Sequence, residues 1–183
     1  MAFNINDMRA QLTRGGARPS LFQVTITNPI QPIADLKVPY LTVRAQIPES
    51  SLGTIPVPYF GRKIKIAGDR TFQPWSVTII NDEDFAIRNA METWNNSINA
   101  YEQNISLLGT GAPSAYKSQA TVTHFGKAGE ILRIYQFNGL YPSNISAMTL
   151  DWNSTDQLEE FDVTFEYDSF EVVGGSTGNA GGA

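Results

Sequence analysis

The sequence predicts a mainly β protein: an antiparallel β-sandwich or barrel carrying one packed α-helix and a long extended arm. Three observations point there. Several short segments alternate apolar and polar residues with a period of two, the pattern of half-buried strands. One segment instead repeats apolar residues at helical spacing. Between these lies a proline-rich stretch that is apolar yet poorly suited to a sheet ladder.

Taken in order, residues 4–13 predict a short helix, with Asn4 or Asn6 as its cap and Gly15-Gly16 as its stop. Phe22, Val24 and Ile26 share one face of a first strand, and Asn28-Pro29 ends it. Prolines then recur at 29, 32, 39, 48, 56 and 58. A short strand fits around Leu41 to Gln46. Residues 47–70 read as an arm. It carries Leu52, Ile55, Val57, Tyr59 and Phe60, followed by the basic residues Arg62, Lys63 and Lys65. That is too apolar for a solvated linker, so the arm is expected to pack on something.

Strands follow near Arg62 to Ala67 and near Pro74 to Asn81. Ile87, Met91, Trp94, Ile98, Tyr101 and Ile105 then recur at spacings of 4, 3, 4, 3 and 4, which places a helix over residues 82–105. Asp82, Glu83 and Asp84 suit its positive N-terminal end. Further strands are expected at Gln119–Phe125, Glu130–Asn138, Ala147–Asp151 and Leu158–Phe170. Gly126 to Gly129 joins the first two as a hairpin. Residues 1–173 read as one domain, and 174–183 as a flexible Gly-rich tail.

The chemistry is sparse. There is no cysteine and a single histidine, His124, so thiolate chemistry and a Cys/His zinc site are excluded. No phosphate-binding loop or nucleophile elbow is present. These features predict no catalytic residues, no metal and no cofactor. The net charge is −5, which disfavours a protein that grips phosphates. No apolar run reaches the roughly 18 residues of a membrane span, and the N-terminus lacks the apolar region of a secretory signal. Trp75, Trp94 and Trp152 are expected in the core. On the last strand Glu160, Asp162, Glu166 and Asp168 share the polar side, either as a solvated face or as a functional acidic surface.

Particular stretches add a resemblance. They are Ala17-Arg18-Pro19-Ser20-Leu21-Phe22-Gln23-Val24; Ile55-Pro56-Val57 before Arg62-Lys63-Ile64; Ala67-Gly68-Asp69-Arg70-Thr71-Phe72 with Trp75; Asn81-Asp82-Glu83; and Gly139-Leu140-Tyr141-Pro142 before Leu150-Asp151-Trp152. In order and spacing, from about residue 17 to 168, they resemble the tail tube proteins of large contractile-tailed bacteriophages. The resemblance implies a structural virion subunit made in the bacterial cytoplasm. Hexameric rings would close a continuous inner barrel and stack into a hollow tube that passes DNA. Its implied partners are further copies of itself, the sheath protein, baseplate and tail terminator proteins, and the tape measure protein and DNA in the lumen. The arm (Leu52, Ile55, Val57, Tyr59, Phe60, Arg62, Lys63) would then be the inter-ring stacking element. Glu160, Asp162, Glu166 and Asp168 are candidates for an acidic lumen face. Two alternatives compete: the inner tube of a phage-derived injection machine (tailocin or type VI-like), or a monomeric carbohydrate-binding sandwich.

Overall fold

A computed structural model describes residues 5–109 and 111–181. Its elements are α1 (Ile5–Gln11), β1 (Phe22–Ile26), α2 (Val38–Leu41), β2 (Thr42–Ala45), β3 (Ser51–Tyr59), β4 (Arg62–Thr71), β5 (Trp75–Ile80), α3 (Ala86–Ile98), α4 (Pro113–Tyr116), β6 (Ser118–Phe125), β7 (Ile131–Ile145), β8 (Glu160–Glu166) and β9 (Ser169–Gly174). Two short 3-10 turns accompany them, Thr13–Gly15 and Pro32–Leu36. The mainly β, antiparallel architecture follows the sequence expectation. The expected cap residue Asn4 lies outside the described residues, and α1 buries nothing.

Seven strands form one sheet in the order β1-β6-β7-β8-β5-β2, with β9 also on β7. Its spine is the 15-residue β7. The first part of β7 pairs with β6 and β9, and the last part with β8. The partner changes at Gly139, which stands between register pairs as a bulge and has φ 70°. A Cβ there would sit 2.1 Å from an Asp168 carboxylate oxygen. Glycine thus meets a backbone and a steric demand together. The bend lets one strand serve both layers of the sandwich.

The expected strand Leu158–Phe170 is interrupted by the same bend. β8 ends at Glu166, Tyr167 and Asp168 form the kink, and β9 continues along β7. No strand forms over Ala147–Asp151. β7 stops at Ile145, and residues 146–159 make an irregular loop. With it the core expectation for Trp152 fails: this side chain is fully exposed, whereas Trp75 and Trp94 are buried.

Period-two alternation builds the core. In β5, Trp75, Val77 and Ile79 point inward, and in β8 Phe161, Val163 and Phe165 do the same, all at most 1% exposed. Trp75 stacks on Phe137 at 4.3 Å between ring centroids. Helix α3 adds Ile87, Ala90, Met91 and Trp94, four positions of the expected stripe or adjacent to it. Each such large side chain contributes about 1.5–3 kcal/mol by leaving water.

The helix is shorter than the 82–105 expected. Its stripe ends at Ile98, and Tyr101 and Ile105 are exposed. The reason lies in the asparagines. Asn96 Oδ1 accepts the Tyr101 N–H, and the chain folds back so that the Ala100 N–H reaches Ile105 O. Asparagine offers the backbone such a competing bond and so favours the helix end. At the other end, Asp84 Oδ1 accepts the Ala86 N–H at 3.0 Å, so the acidic cluster serves the helix start from just outside it. Buried Asn28 fixes the turn after β1, donating to Ala90 O and accepting from the Ile30 and Gln31 N–H groups.

The Gly-rich tail begins on the sheet. Gly174 belongs to β9, and the Ser176 and Thr177 N–H groups donate to Ile131 O and Leu132 O. Residues 182 and 183 lie outside the described residues.

Candidate functional site: the exposed ribbon and the acidic faces

The arm is a β-hairpin rather than an irregular segment. β3 and β4 pair antiparallel from Ser51↔Thr71 to Tyr59↔Arg62. The prolines argued against a strand, but their positions permit one. Counted from the two-residue turn, the closing pair Tyr59↔Arg62 exchanges hydrogen bonds and alternate pairs do not. Pro56 (opposite Lys65) and Pro58 (opposite Lys63) fall on the alternate pairs, where no N–H is needed by the partner. The turn residues Phe60 and Gly61 both have positive φ, 42° and 82°. That is the twist-matched hairpin turn, with a bulky residue held where phenylalanine is rarely found.

The ribbon has two unlike faces. Ile55, Val57, Tyr59, Ile64 and Ile66 project from one, in the cross-strand pairs Ile55↔Ile66 and Val57↔Ile64. Pro56, Pro58, Lys63 and Lys65 occupy the other. Every residue of β3 and β4 except Ser51 and Gly68 is exposed. Phe60, at the tip, is 92% exposed. At the base, a register shift brings Gly53 and Gly68 together: a Cβ on Gly68 would lie 3.2 Å from the Gly53 backbone. This close approach accommodates the bulge at the base of the ribbon. Arg62, Lys63 and Lys65 make no ion pair among the described residues, and Arg70 donates to the Ser50 hydroxyl.

The acidic candidates separate. Glu160, Asp162 and Glu166 project from the polar side of β8, but Asp168 sits in the kink and pairs with Lys117 at 2.6 Å. That carboxylate raises the Lys117 pKa. The others are partly engaged: Arg44 lies 3.5 Å from Glu160, and Asp162 accepts the Thr78 hydroxyl at 2.6 Å. His124, the lone histidine, has Nε2 2.8 Å from Arg18 O.

A further acidic pole was not legible as a site. The loop 146–159 and residues 81–85 come together around two open grooves, of about 340 and 330 Å³, that share Gln157, Leu158 and Glu159. Here Lys37 is clamped by Asp82 and Asp84, and both carboxylates raise its pKa, Asp84 more strongly. Among the described residues no group of three metal-ligating side chains converges. Among the described residues no helix is long and apolar enough to cross a membrane.

The profile of the phage tail tube protein family matches residues 17–173. The tail tube protein gp19 of Enterobacteria phage T4 is 35% identical over 156 residues, 85% of this chain and 91% of its own length. The tail tube protein of Serratia phage KSP90 is 29% identical over 92% of this chain and 96% of its own length. The fold is shared with a chain of the tube-terminating cap of the anti-feeding prophage (TM-score 0.64, 17% identity, 94% of this chain and 98% of the other). It is shared also with a chain of the sheath/tube terminator of the extracellular contractile injection system PVC (TM-score 0.63, 15% identity, 85% of this chain and 94% of the other). On the match across most of its length, this chain belongs to the phage tail tube protein family, and its place is in the virion.

Proposed function

We propose that this protein is the repeating subunit of a contractile phage's tail tube, closing into hexameric rings that stack into a hollow conduit for DNA. The hairpin β3–β4 is the inter-ring element. Its exposure is the observation that carries this reading. A two-stranded ribbon is marginally stable alone, yet this one displays a largely apolar face and a strained aromatic tip. Such a patch on a subunit marks a surface covered by a partner, and a backbone outlier persists where function retains it. Ring closure would cover the unpaired edges of the seven-stranded sheet.

The work is structural. A subunit that only has to exclude, align and slide needs no catalytic residue, metal or cofactor. Sheath protein would surround the tube, and baseplate and terminator proteins would close its ends. Tape measure protein and then DNA would occupy the lumen. Glu160, Asp162 and Glu166, with Asp168 beside Lys117, would give that lumen a negative wall. Phosphates would then slide past without adhering, within the screening distance of about 8 Å at physiological salt.

Replacing residues 51–71 by a short Gly-Ser link tests the ribbon's role. The variant is expected to stay folded by circular dichroism while tubes vanish in negative-stain micrographs. Long tubes from this variant would overturn the assignment. For the wall, Asp162→Lys with Glu166→Lys should leave tubes intact but slow DNA ejection; unchanged ejection from normal tubes would refute it.

A further inference from the structure

Resting on that reading of the hairpin, we propose where it docks: on the acidic, aromatic pole that the loop 146–159 and residues 81–85 form on a second copy of this chain. The topology places the two features at opposite ends of one subunit. The ribbon leaves the sheet between β2 and β5, next to Trp75. Along β5 the register runs from Trp75↔Phe165 to Ile80↔Glu160, and the loop enters β8 at that far end. The five steps from Trp75 to Ile80, about 17 Å at roughly 3.4 Å each, separate the ribbon's root from the loop. The contact is therefore between unlike surfaces of two copies, the kind that propagates head to tail instead of closing a dimer.

Charge supports the pairing. Residues 51–71 hold four basic side chains, Arg62, Lys63, Lys65 and Arg70, against one acid, Asp69, in a chain whose net charge is −5. The pole reverses this: residues 146–160 hold Asp151, Asp156, Glu159 and Glu160 and no basic residue. Glu160 has Arg44, and Asp82 and Asp84 share Lys37. Glu83, Asp151, Asp156 and Glu159 have no basic partner among the described residues, and neither do Arg62, Lys63 and Lys65 on the ribbon any acidic one. Unpaired cations at one end and unpaired acids at the other give subunit addition a direction.

Apolar surface supports it equally. Trp152 is 101% exposed, Leu150 77% and Leu158 72%. These side chains adjoin the acids and flank open grooves. Aromatic anchors are enriched at the core of an interface, and polar and charged groups form its rim. The ribbon offers the counterpart on both counts, with an apolar face, a basic face and a Phe60–Tyr59 edge-to-face pair at its tip.

The test uses full-length protein and measures tube length by negative-stain microscopy and polymer mass by sedimentation. Four variants are compared: Lys63→Glu with Lys65→Glu; Glu83→Lys with Glu159→Lys; all four changes in one chain; and Trp152→Ala. All sites are exposed except Glu159, which is half-buried and accepts the Asn81 side-chain N–H, and thermal unfolding verifies that each subunit is folded. Each charge-reversed pair alone, and Trp152→Ala, should shorten tubes tenfold or more, an effect on the order of 1.4 kcal/mol or above per contact. The fourfold variant should recover length. If the ribbon pair blocks growth while the pole variants assemble as the unaltered protein does, docking on this pole is refuted and the ribbon's stacking role stands. A fourfold variant no longer than the ribbon pair alone refutes it too. If the ribbon pair itself assembles normally, the stacking role falls, and this proposal with it.

Discussion

The β3–β4 ribbon and the β5–β8 pair are both antiparallel and both rich in branched and aromatic residues, and β5 follows β4 closely in the chain. In β5–β8 the inward residues are at most 1% exposed; in the ribbon Ile55, Ile64 and Ile66 are 52–58% exposed. Backbone pairing is satisfied in each. What differs is the layer opposite. β5 and β8 face the other half of the sandwich and α3, so their alternation is spent within the subunit. The ribbon has no opposing layer in its own chain. Apolar patterning therefore specifies that a face will be buried without specifying by which molecule.

That contrast sets an order of expected effects. The largest falls in the body. Phe165→Ala should destabilise the folded subunit by roughly 3–5 kcal/mol, because the ring is buried between Trp75 and Trp94 and its loss leaves a cavity. Ile64→Ser on the ribbon should change subunit stability by no more than about 0.5 kcal/mol, while impairing tube growth. Urea unfolding of the subunit and micrographs of the polymer read the two quantities separately. Equal stability losses at both sites would break the comparison.

The glycines sharpen it further. Gly139→Ala must accept positive φ and a collision with Asp168, and should cost roughly 1–3 kcal/mol. Gly68→Ala meets only the Gly53 backbone and the Ile55 side chain, at 3.2–3.3 Å, in a ribbon free to relax. It should cost less than about 1 kcal/mol and change tube assembly more than folding. Thermal unfolding of the two variants decides this.

The same contrast explains what the sequence could reveal. Val24, Ile26, Val77, Ile79, Phe161, Val163 and Phe165 were legible because alternation and burial coincide within one subunit. The helix stripe was legible to Ile98 and no further, since the period continues through Tyr101 and Ile105 after the asparagines have ended the helix. The ribbon's residues stood out as apolar, but its strand character was hidden by proline. Only the register shows that Pro56 and Pro58 occupy positions without a required N–H. The kink at Asp168 depends on a contact with Gly139, 29 positions earlier, which no local pattern carries. Trp152 misled because apolar character alone does not place a side chain: the loop 146–159 that carries it runs outside the sandwich, and the ring is fully exposed.

The smallest effect expected belongs to the Lys37 clamp, where body and pole meet. Lys37 lies between the 3-10 turn and α2, and Asp82 and Asp84 precede α3, so the ion pairs tether the α3 entrance to the chain after β1. Lys37 chiefly, and then the Ala86 N–H, hold the Asp84 carboxyl below its ordinary value of 3.8. A carboxyl whose folded pKa is lowered contributes stability above its unfolded pKa and loses it as pH falls through the folded one. Lys37 is shifted upward by the same partners, so its contribution is retained at neutral pH and lost only at strongly alkaline pH. All three groups are solvent-exposed, and water and salt screen the gain. Asp84→Asn should therefore leave the neutral-pH urea midpoint almost unchanged and flatten its fall below about pH 4, where the unaltered protein protonates this carboxyl. A variant whose acid-side slope matches the unaltered protein would remove Asp84 from the pH dependence and leave the hydrogen bond to Ala86 as its whole contribution.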